Sequence, residues 1–360
     1  MKRKFIALLV AIATVSFLPS GADACTGISL TAKDGSHIVA RTIEWGGSFL
    51  NSQYVVVPRG YVQQSLIPGH KTGMTFTSRY GYVGFAVEQA EFVAEGLNEE
   101  GLAAGLFYFP GYGKYKEFDE AHPDRNIADL QVVPWILGSC KNVEEVKEAF
   151  RHVRVVSLVP EASTVHWRFT DATGHQIVLE IIDGKCVFYE NPLGVLTNSP
   201  DFNWQLTNLN NYVNLHPGNV APQQLDSLTL RPFGAGSGLF GIPGDVTPPS
   251  RFVRAAFYQA TAPQQATGLL SVLQSFQILN NFDIPIGIEF GADETPTDIP
   301  SATQWTASSD VTNRIIYFRT MYNSTIRSFD LKEIDFAKVK YQAKVLDEVR
   351  QQPVVPMRVA

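Results

Sequence analysis

The chain has 360 residues, 18% of them charged and 45% hydrophobic, with 29 Lys and Arg against 35 Asp and Glu for a formal net charge of −6. This is ordinary globular material, long enough for one large domain or two small ones. It carries no basic field for nucleic acid or an anionic membrane, so the expected partner is a small molecule.

The first stretch reads as a leader. A basic n-region, Lys2-Arg3-Lys4, precedes the apolar run from Phe5 to Leu18, and Ala22-Asp23-Ala24 is the small-x-small pattern at which a signal peptidase cuts. Cleavage there makes residues 1–24 a signal peptide and Cys25 the first residue of the mature chain. A cysteine at a free N-terminus carries its own base, because an α-amine with a pKa of about 7.7–8.0 accepts the thiol proton at neutral pH. Three other readings compete: a structural cysteine, an incidental one, and the lipid-modified cysteine of a bacterial lipoprotein. The lipoprotein reading wants Leu or a similar apolar residue where this chain has Ala22, with charged Asp23 next. After the h-region no stretch of about 18 apolar residues remains, so no membrane insertion is expected after processing. The expected destination is the periplasm or the exterior.

From Cys25 onward the pattern predicts a hairpin. Thr26 to Thr31 alternates as a strand, Lys33-Asp34-Gly35-Ser36 turns, and His37 to Ile43 returns. That return carries Arg41, Glu44 and Trp45 back toward Cys25. A guanidinium near the thiol favours thiolate, and a carboxylate near the α-amine can orient it.

Further strands are expected over Gln53 to Val57, Tyr82 to Val87, Phe92 to Glu95 and Leu102 to Phe107. The aromatic, glycine-bearing stretch Pro110 to Tyr115 is either a wall of an apolar pocket or a packed surface loop. Apolar residues at three-to-four spacing predict helices over Ile127 to Leu137 and Val143 to Val153, with Asn142 capping the second. A meander of strands follows over Val155 to Val159, Thr164 to Thr170, His175 to Ile182 and Cys186 to Glu190, and the chain then enters the loop holding Asn198. Asn198 alone reads equally well as an Asx-turn before Pro200.

Gly236 to Gly241 matches GxGxxG, but no clean strand precedes it and Pro243-Gly244-Asp245 follows where a helix should open, so a dinucleotide site is rejected. Ser250 is expected to cap a helix over Arg251 to Ala260. An arginine in that first turn opposes the helix dipole, so either another interaction fixes Arg251 or it is solvated. A helix over Thr267 to Leu279 and strands over Trp305 to Asp310, Arg314 to Thr320 and Ser324 to Asp330 complete the pattern, with a charged, proline-bearing tail. Cys140 and Cys186 either pair or are two buried free thiols. The seven histidines are scattered, with no CxxC or HExxH, so no metal and no cofactor is expected.

The mature chain resembles the choloylglycine hydrolase family of N-terminal-nucleophile amidohydrolases, which includes conjugated bile acid hydrolases and penicillin V acylases. The motifs that carry the likeness are Cys25-Thr26-Gly27, Ala40-Arg41-Thr42 with Glu44-Trp45, Asn98-Glu99-Glu100-Gly101-Leu102 followed by Ala104-Gly105-Leu106, the block Asn191 to Pro200, and Ser250 to Ala255. The resemblance implies one domain over residues 25–360, an α+β fold of αββα layers with two stacked antiparallel sheets, and a homo-oligomer, a tetramer in the family. It makes Cys25 the nucleophile, Arg41 the arginine beside the thiol, Asn198 an oxyanion donor together with the Tyr108 backbone N–H, and Arg251 a second arginine of the charge network. Glu44 stands where the family more often has Asp. The run Tyr108-Phe109-Pro110 looks like the penicillin V acylase side of the family. With Trp45 it ranks phenoxyacetyl penicillins and fatty N-acyl homoserine lactones first among N-acyl amide substrates, conjugated bile salts next. The reading from another class is an exported or lipid-anchored binding protein in which Cys25 is inert.

Overall fold

The computed structural model describes residues 24–159, 164–291 and 295–359. The expected leader, Ala24 apart, lies outside them.

The first two strands, β1 (Cys25–Thr31) and β2 (His37–Glu44), pair antiparallel across a turn in which Gly35 takes a φ of 86°. Glycine reaches that conformation without steric cost. Then come β3 (Ser52–Val57), a separate hairpin of β4 (Val62–Ile67) and β5 (Lys71–Thr77), and the meander β6 (Tyr82–Val87), β7 (Val93–Asn98) and β8 (Ala103–Tyr108). A short β9 (Asn126–Ala128), helices α1 (Val132–Ser139) and α2 (Val143–Ala149), and β10 (Arg154–Val156) lead into a second meander, β11 (Val165–Thr170), β12 (Gln176–Ile182) and β13 (Lys185–Glu190). Beyond them lie α3 (Phe202–Asn208), a small hairpin of β14 (Gln223–Leu225) and β15 (Leu228–Leu230), α4 (Pro248–Thr261) and α5 (Gly268–Leu279). The chain closes with β16 (Thr303–Asp310), β17 (Ile315–Thr320), β18 (Asn323–Asp330) and β19 (Gln342–Val345).

Two antiparallel sheets result. One has five strands in the order β1-β2-β16-β17-β18, the other eight in the order β13-β12-β11-β8-β7-β6-β3-β19. Their inner faces meet in the core, where the Phe85 ring on β6 lies 5.6 Å from Trp305 on β16 and 5.0 Å from Phe318 on β17. Helices α4 and α5 cover the outside of the smaller sheet, and α1 packs on β7 and β8 of the larger. The fold is the expected α+β sandwich. Among the described residues no helix is long and apolar enough to cross a membrane.

Several expectations are corrected. The segment expected as one helix from Ile127 splits into β9, a 3-10 turn and α1, because Asn126–Ala128 pairs in parallel with Arg154–Val156. The second helix stops at Ala149 rather than Val153. Helix α4 begins at Pro248, so Ser250 lies inside it; its hydroxyl donates to Asp245 Oδ2 at 2.6 Å instead of capping. Proline suits a first helical position because its missing N–H would find no partner there anyway. The tail is partly ordered, β19 pairing with β3 at the edge of the large sheet. Cys140 and Cys186 are both free, Cys140 buried and Cys186 exposed on edge strand β13. The Gly236–Gly241 segment packs on His216 and Gly218, where a Cβ at Gly238 would lie 2.4 Å from the His216 carbonyl oxygen.

Candidate active site

The site is built on strand register. Pairing of β1 with β2 sets Cys25 opposite Ile43 and Gly27 opposite Arg41. Opposed residues share a face and alternate residues return to it, so Cys25 and Arg41 project together into the space between the sheets. There Arg41 Nη2 donates to Cys25 Sγ at 2.7 Å, Nη1 to the Leu106 carbonyl at 2.6 Å, and Nε to the Thr42 carbonyl at 3.0 Å. The guanidinium is wholly buried and lies 4.3 Å from the centre of the Phe107 ring.

On the other side of β1, an isolated bridge joins Gly27 to Leu196, with Gly27 N donating to Leu196 O at 2.7 Å. Antiparallel geometry continued two residues each way brings Cys25 against Asn198. Asn198 Oδ1 accepts from the Cys25 nitrogen at 2.9 Å and from Arg251 Nη2 at 2.7 Å, while Nδ2 donates to the Tyr108 carbonyl at 2.8 Å. A donor-only guanidinium on one side and an acceptor-only carbonyl on the other fix the amide's orientation. One Nδ2 hydrogen is thereby committed, and among the described residues the Tyr108 carbonyl is the one acceptor for that nitrogen. The Tyr108 backbone N–H faces the sulfur and pulls the thiol pKa down.

Arg251, in the first turn and a half of α4, is fully buried. It donates from Nη1 to the Cys25 carbonyl at 2.5 Å and to Thr26 Oγ1 at 2.8 Å. Its unfavourable place in the helix dipole is offset by these bonds. Of the two readings open for it, solvation is excluded.

Electrostatics qualify one expectation. Burial pushes the Cys25 thiol up more than Arg41 pulls it down; Glu44 adds to the rise, and the Tyr108 N–H and Arg251 oppose it. The thiol is therefore held protonated and needs a base. Glu44, expected to orient the α-amine, sits opposite Ala24, whose carbonyl accepts from the Glu44 N–H at 2.8 Å. In the full-length chain the Cys25 nitrogen is still the amide joined to Ala24. Desolvation raises the Glu44 carboxyl to about 8 despite Arg251 nearby, and neighbouring Glu289 contributes to the rise. Glu289 itself is raised to about 7 by burial, with Arg251 opposing. Among the described residues one oxygen of each acid, Oε2, has no hydrogen-bond partner. Trp45 follows at the end of β2, half-buried, its indole N–H donating to Ser48 Oγ at 3.0 Å.

Sequence reading missed a second layer. Glu95 on β7 lies 3.9 Å from Arg41 and 3.7 Å from Arg168 on β11, all three buried. Arg168 fills the space a Cβ at Gly27 would need, at 2.6 Å, and Glu95 the space at Gly105, at 2.0 Å. The available signal was a lone charge inside each apolar strand, with glycine on a neighbouring strand. Glu289 gave no signal of its own.

The model of the linear amide C–N hydrolases, choloylglycine hydrolase family, matches residues 25–345. The bile salt hydrolase/transferase of Clostridium perfringens is 32% identical over 316 residues, covering 86% of this chain and 93% of that protein. The penicillin V acylase of Pectobacterium atrosepticum is 26% identical over 340 residues, covering 86% and 81%. Among solved structures, a variant of the conjugated bile acid hydrolase from Clostridium perfringens superposes with a TM-score of 0.79 at 30% identity, over 93% of this chain and all of that one. The penicillin V acylase of Agrobacterium tumefaciens, at 23% identity and a TM-score of 0.71 over 89% of this chain and 90% of its own, shares the fold. With its stacked sheets and the match from Cys25 onward, this chain belongs to the choloylglycine hydrolase family of linear amide C–N hydrolases, within the N-terminal-nucleophile hydrolase superfamily.

Proposed function

We propose that the processed chain hydrolyses an N-acyl amide with Cys25 as an N-terminal nucleophile, exported ahead of use and trimmed after Ala24. The observation that carries this reading is the convergence on one residue: Arg41 and the Tyr108 N–H on the sulfur, Asn198 on the nitrogen, Arg251 on the carbonyl. Once Ala24 is removed, the neutral α-amine takes the thiol proton and the sulfur attacks the amide carbon. The carbonyl electron pair moves onto oxygen, where the free Asn198 Nδ2–H and the Tyr108 N–H receive it. Collapse breaks the C–N bond, the α-ammonium gives its proton to the departing nitrogen, and a thioester remains. Water, deprotonated by the same amine, attacks that thioester; the carboxylic acid leaves and the thiol is restored.

Tyr108 and Trp45 favour an aromatic or fatty acyl group, as in phenoxyacetyl penicillins or N-acyl homoserine lactones. Conjugated bile salts are the second reading, favoured by curated relatives of 29–32% identity whose names specify bile salts. A panel of penicillin V, acyl lactones and glyco- and tauro-conjugates decides between them by kcat/KM. Mass spectrometry of the exported protein tests the nucleophile: a chain beginning at Cys25 with a free amine supports it, while a diacylglyceryl adduct or a retained leader supports the inert binding protein.

The homo-oligomeric state is also proposed. Its support is the arm around β14 and β15, where Leu225, Leu228 and Leu230 are exposed and Phe233 stands in solvent.

A further inference from the structure

Behind the oxyanion donors lies a buried ionisable pair that none of the chemistry above uses. His166 on β11 and Glu180 on β12 are both fully shielded from solvent, with His166 Nδ1 3.0 Å from Glu180 Oε1. His166 Nε2 is 3.0 Å from the Thr197 carbonyl. A carbonyl only accepts, so Nε2 carries a hydrogen; one further proton is shared between Nδ1 and the carboxyl, which keeps that bond in either arrangement. Glu180 Oε1 also accepts from the Phe202 N–H at 2.9 Å. The pair thus grips the 197–202 segment at both ends, and Asn198 is the residue next to the first grip.

The imidazole plane reaches the other donor as well. It stacks on Phe109, centroids 4.4 Å apart and planes within 9°, and meets Phe107 edge-on at 6.2 Å. Between those two phenylalanines is Tyr108. Two bonds nearer the surface join the same segments, Asn198 Nδ2 to the Tyr108 carbonyl at 2.8 Å and Ser199 Oγ to the Pro110 carbonyl at 2.6 Å. A buried ionisable pair is a poor device for stability, since desolvation cancels much of what its bond contributes and an apolar pair would fill the space. Its return is directional: it sets where a carbonyl and a ring may lie.

We infer that His166, held by Glu180, is a positioning residue that fixes the separation of the Asn198 and Tyr108 oxyanion donors. The inference rests on the roles proposed for those two donors. Misplacement of such groups by about 1 Å costs on the order of a hundredfold in rate.

The test uses chain shown by mass to begin at Cys25. His166→Phe keeps the stack and loses both hydrogen bonds; His166→Gln keeps a donor that reaches the Thr197 carbonyl. For His166→Phe, kcat on the best substrate of the panel is expected to fall about 30- to 300-fold with KM within about threefold, while iodoacetamide alkylates Cys25 at a rate within about twofold of the parent. His166→Gln should recover about tenfold of that loss. A folded His166→Phe with kcat within threefold of the parent overturns the inference, as does a parallel fall in kcat and alkylation, which would mean general loosening of the site. Should His166→Phe not fold, Glu180→Gln decides: a fall in kcat of about tenfold at constant KM supports the role, and a change under twofold removes it. Failure of the nucleophile reading is separate, appearing as turnover that survives Cys25→Ala whatever the His166 variants do.

Discussion

The two ends of Cys25 face different surroundings. Its sulfur meets donors only, the Arg41 guanidinium and the Tyr108 N–H, and behind them Glu95 and Arg168 complete a line of alternating charge. Its backbone end meets Arg251 and Asn198, and around Arg251 lie two carboxyls, Glu44 and Glu289, raised by burial to about 8 and about 7. On the sulfur side these donors oppose burial, which on balance keeps the thiol protonated. Among the described residues, Glu44 and Glu289 each keep one oxygen, Oε2, without a hydrogen-bond partner. A single residue is therefore set between donors at its sulfur and buried carboxyls around Arg251 at its backbone end, an arrangement that on the proposed mechanism suits transfer of one proton from sulfur to nitrogen.

The sharpest way to break this contrast is Cys25→Ala, expected to lower turnover about a thousandfold or more while the chain still folds, as checked by circular dichroism beside the assay. Next is Arg41→Met. Removing one partner of a buried charge cluster costs about 3–5 kcal/mol, read by urea denaturation. If the protein folds, the pH at which Cys25 becomes alkylated should move up, because the nearest cation is gone.

On the nitrogen side, Glu44→Gln should lower kcat/KM about 10- to 100-fold, whereas Glu44→Asp, the acid more usual in the family, should stay within about threefold. Equal losses in both would mean that reach, not acidity, matters at this position. Glu289→Gln should act on stability with a defined sign. The folded carboxyl titrates near 7, above its ordinary 4.5. Its favourable contribution is complete below about pH 4.5 and is lost as pH rises through 7. Glu289→Gln should thus match the parent at pH 4.5 and exceed it at pH 8 by about 1–3 kcal/mol in urea unfolding. The smallest effect on the fold belongs to the arm: Leu228→Glu should leave unfolding within about 0.5 kcal/mol and reduce the mass seen by light scattering.

Local pattern disclosed what local forces decide. The β1–β2 hairpin was legible because alternation and the Lys33-Asp34-Gly35-Ser36 turn lie within a few residues of each other, and that hairpin alone brings Arg41 to Cys25. Asn198 needed its whole surrounding block, since its approach to Cys25 depends on a bridge between Gly27 and Leu196 far along the chain. The Asn98-Glu99-Glu100-Gly101 motif was visible, but not its purpose: Asn98 accepts from the Leu102 N–H at 2.9 Å and donates to the Leu137 and Cys140 carbonyls at 2.9 and 2.7 Å, tying this turn to α1. What stayed hidden is pairing at a distance. Ile127 and Ala128 open a segment with helical spacing yet join a strand with Asn126, because Arg154–Val156 offers them an edge. Glu95 on β7, His166 and Arg168 on β11 and Glu180 on β12 are polar residues within largely apolar strands, and only the pairing and stacking of strands reveals that they meet.

The ladder between the first two strands does not stop at Cys25; it runs on to Ala24, which is 3% exposed and packed against Ile284 and Ala302. A peptidase must seize extended backbone on both sides of the bond it cuts, and here that backbone is already occupied by a neighbouring strand. On the proposed cut after Ala24, trimming and folding would compete for the same few atoms, so the cut would have to precede the zipping of this edge. Under that proposal, refolded full-length chain should resist a signal peptidase that cuts the unfolded chain.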